Sequence, residues 1–180
     1  MPQSTNDSSA AITYVDDCLY WGSDDAAEAW FEQALGQQLK IDFMGDLSFY
    51  LGAHYDWQVI LDGRLCIHCL QEGHIHKMLD QHSMLDANAV DSPYRSGLPI
   101  DRVRHDGLDP SEKPLLVKAY QSIVGSLNWI SLSTRPDITP VTSLLATYLH
   151  NPSPGHLTSA KHVLRYLKGS SGWGITYTQI

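Results

Sequence analysis

The chain has 180 residues, of which 43% are hydrophobic, enough to build one good core or two small ones in a globular protein. It has no apolar run long enough for a membrane span, and its polar start lacks the basic-then-apolar order of a signal peptide, so the expectation is an intracellular protein, cytoplasmic or nuclear, with no membrane partner. The net charge of −8 speaks against a polyanionic partner for the chain as a whole, but residues 1–92 hold 3 basic against 15 acidic side chains and residues 93–180 hold 9 against 5, so the second half alone has the balance for a phosphate backbone.

Residues 1–10 read as a disordered lead-in. Two β-rich runs follow, Ile12 to Val15 and Cys18 to Trp21, and between them Asp16 and Asp17 mark a hairpin turn. Ser23 or Asp24 can cap a helix running to about Leu39, with Ala27, Trp30, Phe31, Ala34 and Leu35 on its apolar face. Strands are expected at Ile41 to Phe43, Leu47 to Tyr55 and Arg64 to Leu70, the last two separated by the turn signal Leu61-Asp62-Gly63. A helix from Glu72 to about His82 carries Ile75, Met78 and Leu79 as its stripe. The prolines at 93, 99, 110 and 114 make 93–114 an irregular connector and the best domain boundary. Beyond it, helices are expected at Leu115 to Thr134, Asp137 to His150 and Pro154 to Leu167, stopped by Pro136, Pro152 and Gly169, with a last short strand at Gly174 to Tyr177.

Adjacent carboxylates at a tight turn repel each other unless something neutralises them, and a hard divalent cation does so. An Asp-Asp pair is also ordinary solvated turn chemistry, so the dipeptide alone leaves both readings open. The cluster Cys66, His68, Cys69, His74 and His76 invites a zinc reading, but strand alternation sends Cys66 and His68 to one face and Cys69 to the other, and no second Cys-x-x-Cys pair exists. All three cysteines read as reduced thiols.

The string around the pair, Tyr14-Val15-Asp16-Asp17 followed by Cys18-Leu19-Tyr20-Trp21, resembles the metal-binding hairpin of reverse transcriptases. Further segments resemble copia-type retrotransposon enzymes in the expected order: Gly45 to Gly52, Leu70-Gln71-Glu72-Gly73-His74-Ile75, Tyr120 to Leu127, Thr134-Arg135-Pro136-Asp137-Ile138, and Arg165-Tyr166-Leu167-Lys168-Gly169. The resemblance spans about residues 11 to 178. It implies an α+β fold: a partial reverse-transcriptase palm of β-hairpins plus a helix over 11–92, then a helical thumb and connection over 115–180 running into the start of a ribonuclease H-like domain. It also implies that Asp16 and Asp17 ligate Mg²⁺, or Mn²⁺, for nucleotidyl transfer, and that Tyr14, Leu51, Gly52, Ala53 and His54 lie near the primer terminus. Template-primer of RNA or DNA, and a deoxynucleoside triphosphate, are the implied partners.

Gly52 can equally be a bulge in an ordinary strand. Arg135 and Asp137 are either a site or, the reading favoured for an Arg-Pro-Asp junction between helices, a structural cap and ion pair. Lys161, Arg165 and Lys168 share a helix face that is either solvated or a template-primer contact. The resembled enzymes have a further metal-binding aspartate on an earlier strand and basic fingers residues, whereas the only carboxylate ahead of Asp16 is Asp7. The expectation is a fragment inactive by itself, needing a fingers-palm segment as partner. The alternative is a non-catalytic, decayed transposon remnant with at most weak nucleic-acid binding.

Overall fold

A computed structural model of the chain describes residues 9–94, 97 and 112–180, so most of the expected connector lies outside the described residues. The fold is mixed α+β, and its contacts divide it into two compact units between Leu51 and Gly52. No helix among the described residues is long and apolar enough to cross a membrane.

In the first unit, strands β1 (Ser9–Tyr14) and β2 (Asp17–Gly22) pair antiparallel with Tyr14 opposite Asp17. The hairpin is longer than its apolar runs, and Ser9 and Ala10 belong to β1 rather than to a disordered lead-in. Asp24 caps helix α1 (Asp25–Gly36), its carboxylate accepting from the Ala27 amide at 2.9 Å, as a short acidic side chain at that position should. Tyr20 organises the unit: its ring stacks on Phe31 at 5.0 Å and meets Phe43 edge-on at 6.4 Å, and its hydroxyl donates to the Glu32 carboxylate.

Two expectations fail in this unit. Trp30, placed on the apolar face, is 64% exposed, because the aromatic contact is made one residue on, at Phe31. No strand forms at Ile41 to Phe43, where Phe43 packs against Tyr20 instead. A third correction concerns Leu47 to Tyr55, which is not one run. It is split into β3 (Phe49–Tyr50) and β4 (Ala53–Val59) by a turn at Leu51 and Gly52, with φ of 49° and 78°.

The second unit holds β4, β5 (Leu65–Leu70) and β6 (Ile175–Thr178) as an antiparallel sheet with β5 in the middle. The last short strand, expected at Gly174 to Tyr177, forms as β6 and pairs with β5. The unit also holds α2 (Glu72–Gln81), α3 (Lys113–Ser133), a 3₁₀ turn at Pro136–Ile138, α4 (Thr139–Ala146) and α5 (Pro154–Gly169). One hydrophobic core joins them: Ile75, Met78 and Leu79 from α2 meet Tyr120, Ile123, Val124, Leu127 and Ile130 from α3 and Val163, Leu164 and Leu167 from α5. The 120, 123, 124, 127, 130 spacing is a helix stripe, which is why α3 forms where its periodicity says it should.

The helix expected from Asp137 to His150 is shorter. Pro136 opens a 3₁₀ turn before α4 begins, and α4 ends at Ala146. Ser153 and His156 form a reciprocal cap for α5: the Ser153 hydroxyl accepts from the His156 amide at 3.2 Å, and His156 Nδ1 accepts from the Ser153 amide at 3.0 Å. A histidine here takes the place of the usual Glu or Gln, and the ring of Tyr148 stacks on it at 4.0 Å.

Candidate functional site

The hairpin turn consists of Val15 and Asp16, with Asp17 as the first residue of β2. Both carboxylates and Tyr14 are exposed, and Val15 is 90% exposed. Val15 has φ of 56°, a left-handed conformation that a β-branched side chain adopts only under constraint. Backbone held in such a region tends to mark functional turns. Two adjacent carboxylates are hard oxygen donors suited to a divalent ion such as Mg²⁺. Among the described residues, no group of three or more His, Cys, Asp or Glu side chains is placed to hold a metal.

The other sequence-assigned residues sit as follows. Leu51 closes the first unit, and Gly52, Ala53 and His54 open the second. Gly52 is a left-handed turn residue with nothing among the described residues within 4 Å of where its Cβ would be, so the bulge reading is replaced by a turn. Ala53 is buried and His54 exposed. On α5, Lys161 is exposed, but Arg165 and Lys168 are half-buried and committed: Arg165 Nε donates to the Asn88 carbonyl at 2.6 Å and Lys168 Nζ to the Ala87 carbonyl at 2.8 Å.

Arg135 is the largest fully buried side chain of the chain's described part, at 1% exposure. It forms a two-pronged pair with Asp137, at 2.9 and 2.8 Å, and donates to the carbonyl and hydroxyl of Ser170, both at 2.7 Å. Tyr166 donates to the same Asp137 carboxylate at 2.7 Å, and the guanidinium lies over the rings of Tyr166 and Trp173 at 5.3 and 5.8 Å. Burial pushes the Asp137 carboxyl up, but the hydrogen bonds from Arg135 and Tyr166 and the guanidinium charge outweigh it and hold its pKa below the ordinary carboxylate value. Four of the five guanidinium N–H donors of Arg135 go to Asp137 and Ser170, which makes it an internal tie, in line with the structural reading of Arg-Pro-Asp.

Cys66 and His68 share one face of β5, with Cys66 Sγ 3.5 Å from His68 Nε2 and His68 Nδ1 2.8 Å from the Thr176 hydroxyl. Cys69 is also buried, and burial raises its thiol pKa.

Sequence reasoning missed one surface. The outward stripe of α3 is Leu115, Lys118, Ser122, Gly125, Trp129 and Leu132, all exposed at alternating spacings of three and four. Gly125 stands in mid-helix with nothing within 4 Å of its missing Cβ. A glycine inside a helix costs about 1 kcal/mol relative to alanine, and among the described residues no close packing at this position offsets it. The signal was present in the sequence, since Gly125 and Trp129 are four residues apart on the face opposite the apolar stripe.

The chain is similar to the retrovirus-related Pol polyprotein from transposon RE2 of Arabidopsis thaliana, 31% identical over 91% of this chain and 10% of the relative. It is 29% identical to the corresponding polyprotein from transposon TNT 1-94 of Nicotiana tabacum, over 94% of this chain and 12% of the relative. A putative transposon Ty5-1 protein of Saccharomyces cerevisiae is 28% identical over 92% of this chain and 51% of its own length. The chain thus spans about a tenth of the Pol polyproteins it matches. No family model matches it, and no solved structure matches it significantly.

Proposed function

Because the chain belongs to the retrovirus-related Pol polyproteins of copia-type transposons, we propose that it is part of their reverse transcriptase, presenting a carboxylate pair to divalent metal and gripping a template-primer duplex. The observation that carries this reading is the Asp16-Asp17 pair, exposed at the tip of a two-stranded hairpin behind a strained Val15. The hairpin unit is the end of the palm, and the helical unit is thumb and connection. When bound, Mg²⁺ or Mn²⁺ supplies charge stabilisation for nucleotidyl transfer to the primer end. This chain's own contribution is to hold two hard donors at fixed positions on a short, paired turn, with Tyr14 alongside for the primer terminus and the Leu51–His54 turn as a second primer contact.

The duplex grip belongs to the α3 stripe. The gap at Gly125 lets a sugar-phosphate backbone come closer than any side chain would allow. Trp129 offers a flat apolar surface to sugars and base edges, and Lys118 a cation to phosphate. Such binding is independent of sequence and weakens with salt.

The test joins this chain to the preceding Pol segment of a relative and measures primer extension. Asp16→Asn should abolish extension and Asp56→Asn leave it intact. Full activity of the Asp16→Asn protein removes the site assignment, and no activity in any version favours the decayed-remnant reading. For the grip, Gly125→Ala should raise stability by about 1 kcal/mol, since it improves the helix, while weakening duplex binding. A variant that is more stable and binds as well as the unaltered chain would defeat the α3 assignment.

A further inference from the structure

Between α2 and the connector, residues 84–94 run along α5 as a strap that opens with a turn, the Ala87 amide donating to the Met84 carbonyl at 3.1 Å. Its carbonyls are taken one after another by a ridge of that helix. Ala87 accepts from Lys168 Nζ at 2.8 Å, Asn88 from Arg165 Nε at 2.6 Å, and Ser92 from His162 Nε2 at 3.0 Å. The Val90 amide returns a hydrogen bond to the Arg165 carbonyl at 3.4 Å. The strap lies close because α5 ends in Gly169, whose Cβ would sit 3.0 Å from that of Ala89. Between Met84 and Tyr94 the strap carries Asp86 and Asp91 and no Lys, Arg or His.

An acidic, extended chain that offers successive oxygen acceptors to a basic helix ridge has the chemistry of a nucleic-acid backbone. Phosphate oxygens and backbone carbonyls make the same demand on a guanidinium or an ammonium group, and phosphate makes it with a full charge. We propose that α5 is a second nucleic-acid-binding face, covered in this conformation by the 84–94 strap, which holds Arg165 and Lys168 in place of phosphates. The proposal rests on reading the chain as a duplex-binding protein. Lys161, exposed on the same helix and not tied to the strap, is where a phosphate backbone first meets this face, and displacement of the strap then frees Arg165 and Lys168. Met84 sits in the core, and Ala87 and Val90 pack against it, so these anchor the strap while its polar ties open: the hydrogen bonds that Arg165 and Lys168 give up are remade to phosphate, which carries a full charge.

The experiment loosens the strap and measures duplex affinity at fixed salt. Gly169→Val drives a branched side chain into Ala89 and should tighten binding by about fivefold, with faster amide exchange over residues 87–92. Adding Arg165→Gln and Lys168→Gln to that variant should abolish the gain. If Gly169→Val disturbs the fold, Asp86→Asn with Asp91→Asn should tighten binding more than the charge-matched control Asp56→Asn with Asp62→Asn. No gain from either loosened strap, or a gain that survives removal of both cations, overturns the proposal. Gly125→Val reports separately on α3: it should weaken binding whether or not the strap is loosened, so failure of the grip and failure of the strap are told apart.

Discussion

Val15 combines a branched side chain, a φ of 56° and 90% exposure, so its strain is not repaid by burial. A left-handed conformation costs an ordinary residue roughly 1–2 kcal/mol, and Asn tolerates it better because its side chain bonds locally. Val15→Asn should therefore stabilise the hairpin by about 1 kcal/mol, seen as slower amide exchange in β1 and β2; faster exchange would show that Val15 is not strained. Arg135 is the opposite case, a buried charge with all its partners internal. Arg135→Met should cost about 3 kcal/mol, toward the lower end for a broken buried pair because Asp137 is part-exposed. The folded-state pKa of Asp137 lies below its unfolded value, so its contribution is present above the unfolded carboxylate pKa and is lost as pH falls through the folded one. In the Arg135→Met protein the folded pKa is no longer held down by the guanidinium, so this acid-side loss should shrink. The pairing of Arg135 with Asp137 was legible in Arg-Pro-Asp because it is local. The bonds from Arg135 to Ser170 and from Tyr166 to Asp137 were not, since nothing in a sequence pairs residues 35 and 29 positions apart.

Helix periodicity was the most legible feature at the scale of elements. The stripes of α2 and α3 and the proline-opened α5 form close to where spacing places them, because each buries a continuous apolar face in one core. Where tertiary partners decide, the pattern misled: Ile41 to Phe43 has strand-like composition but forms no strand, and an aromatic contact uses Phe43 instead. The turn at Leu51 was hidden because a non-glycine residue takes the first left-handed position, which turn propensities assign to Gly, Asn or Asp. At α2 a pH effect follows from burial. His74, within the helix, and His82, at its C-cap, both have pKa values lowered chiefly by burial and further by Lys77 and Lys161 respectively. Each is neutral in the folded protein, so the stability that depends on neutrality is complete above the ordinary histidine value of about 6.5 and declines as pH falls below it. The midpoint of thermal unfolding should drop between about pH 7 and pH 5, and the double variant His74→Gln, His82→Gln should flatten that drop. An undiminished drop in the double variant would assign it to other groups.

The two compact units differ in how they are held together, and this governs how the whole molecule should unfold. The hydrophobic core runs from Ile75 to Leu167, entirely within the second unit, and α1 in the first unit buries none of its residues. The first unit depends on a two-stranded hairpin, the Tyr20 cluster and the Asp24 cap. Two strands with no buried face are marginal in water, and among the described residues β1 pairs only with β2. Its outer edge therefore offers unpaired backbone groups, an arrangement that larger sheets avoid by covering or charging the edge. Opening of the first unit should need far less free energy than opening of the helical core, in the manner of separate cooperative units. Hydrogen exchange of the intact chain at rising, sub-denaturing denaturant provides the measurement. Amides of β1, β2 and α1 should exchange through a low-energy opening that exposes little surface and so hardly depends on denaturant. Those of Tyr120, Ile123, Leu127, Val163 and Leu164 should follow the global transition with its full denaturant dependence. Tyr20 offers an independent probe of the same event: its phenol pKa is pushed up to about 12, first by the hydrogen bond to Glu32 and then by burial, so it should titrate near its ordinary value once the first unit opens. Equal protection and equal denaturant dependence in the hairpin and the helical core would mean that the chain unfolds as one body, and the division at Leu51 would then carry no energetic meaning.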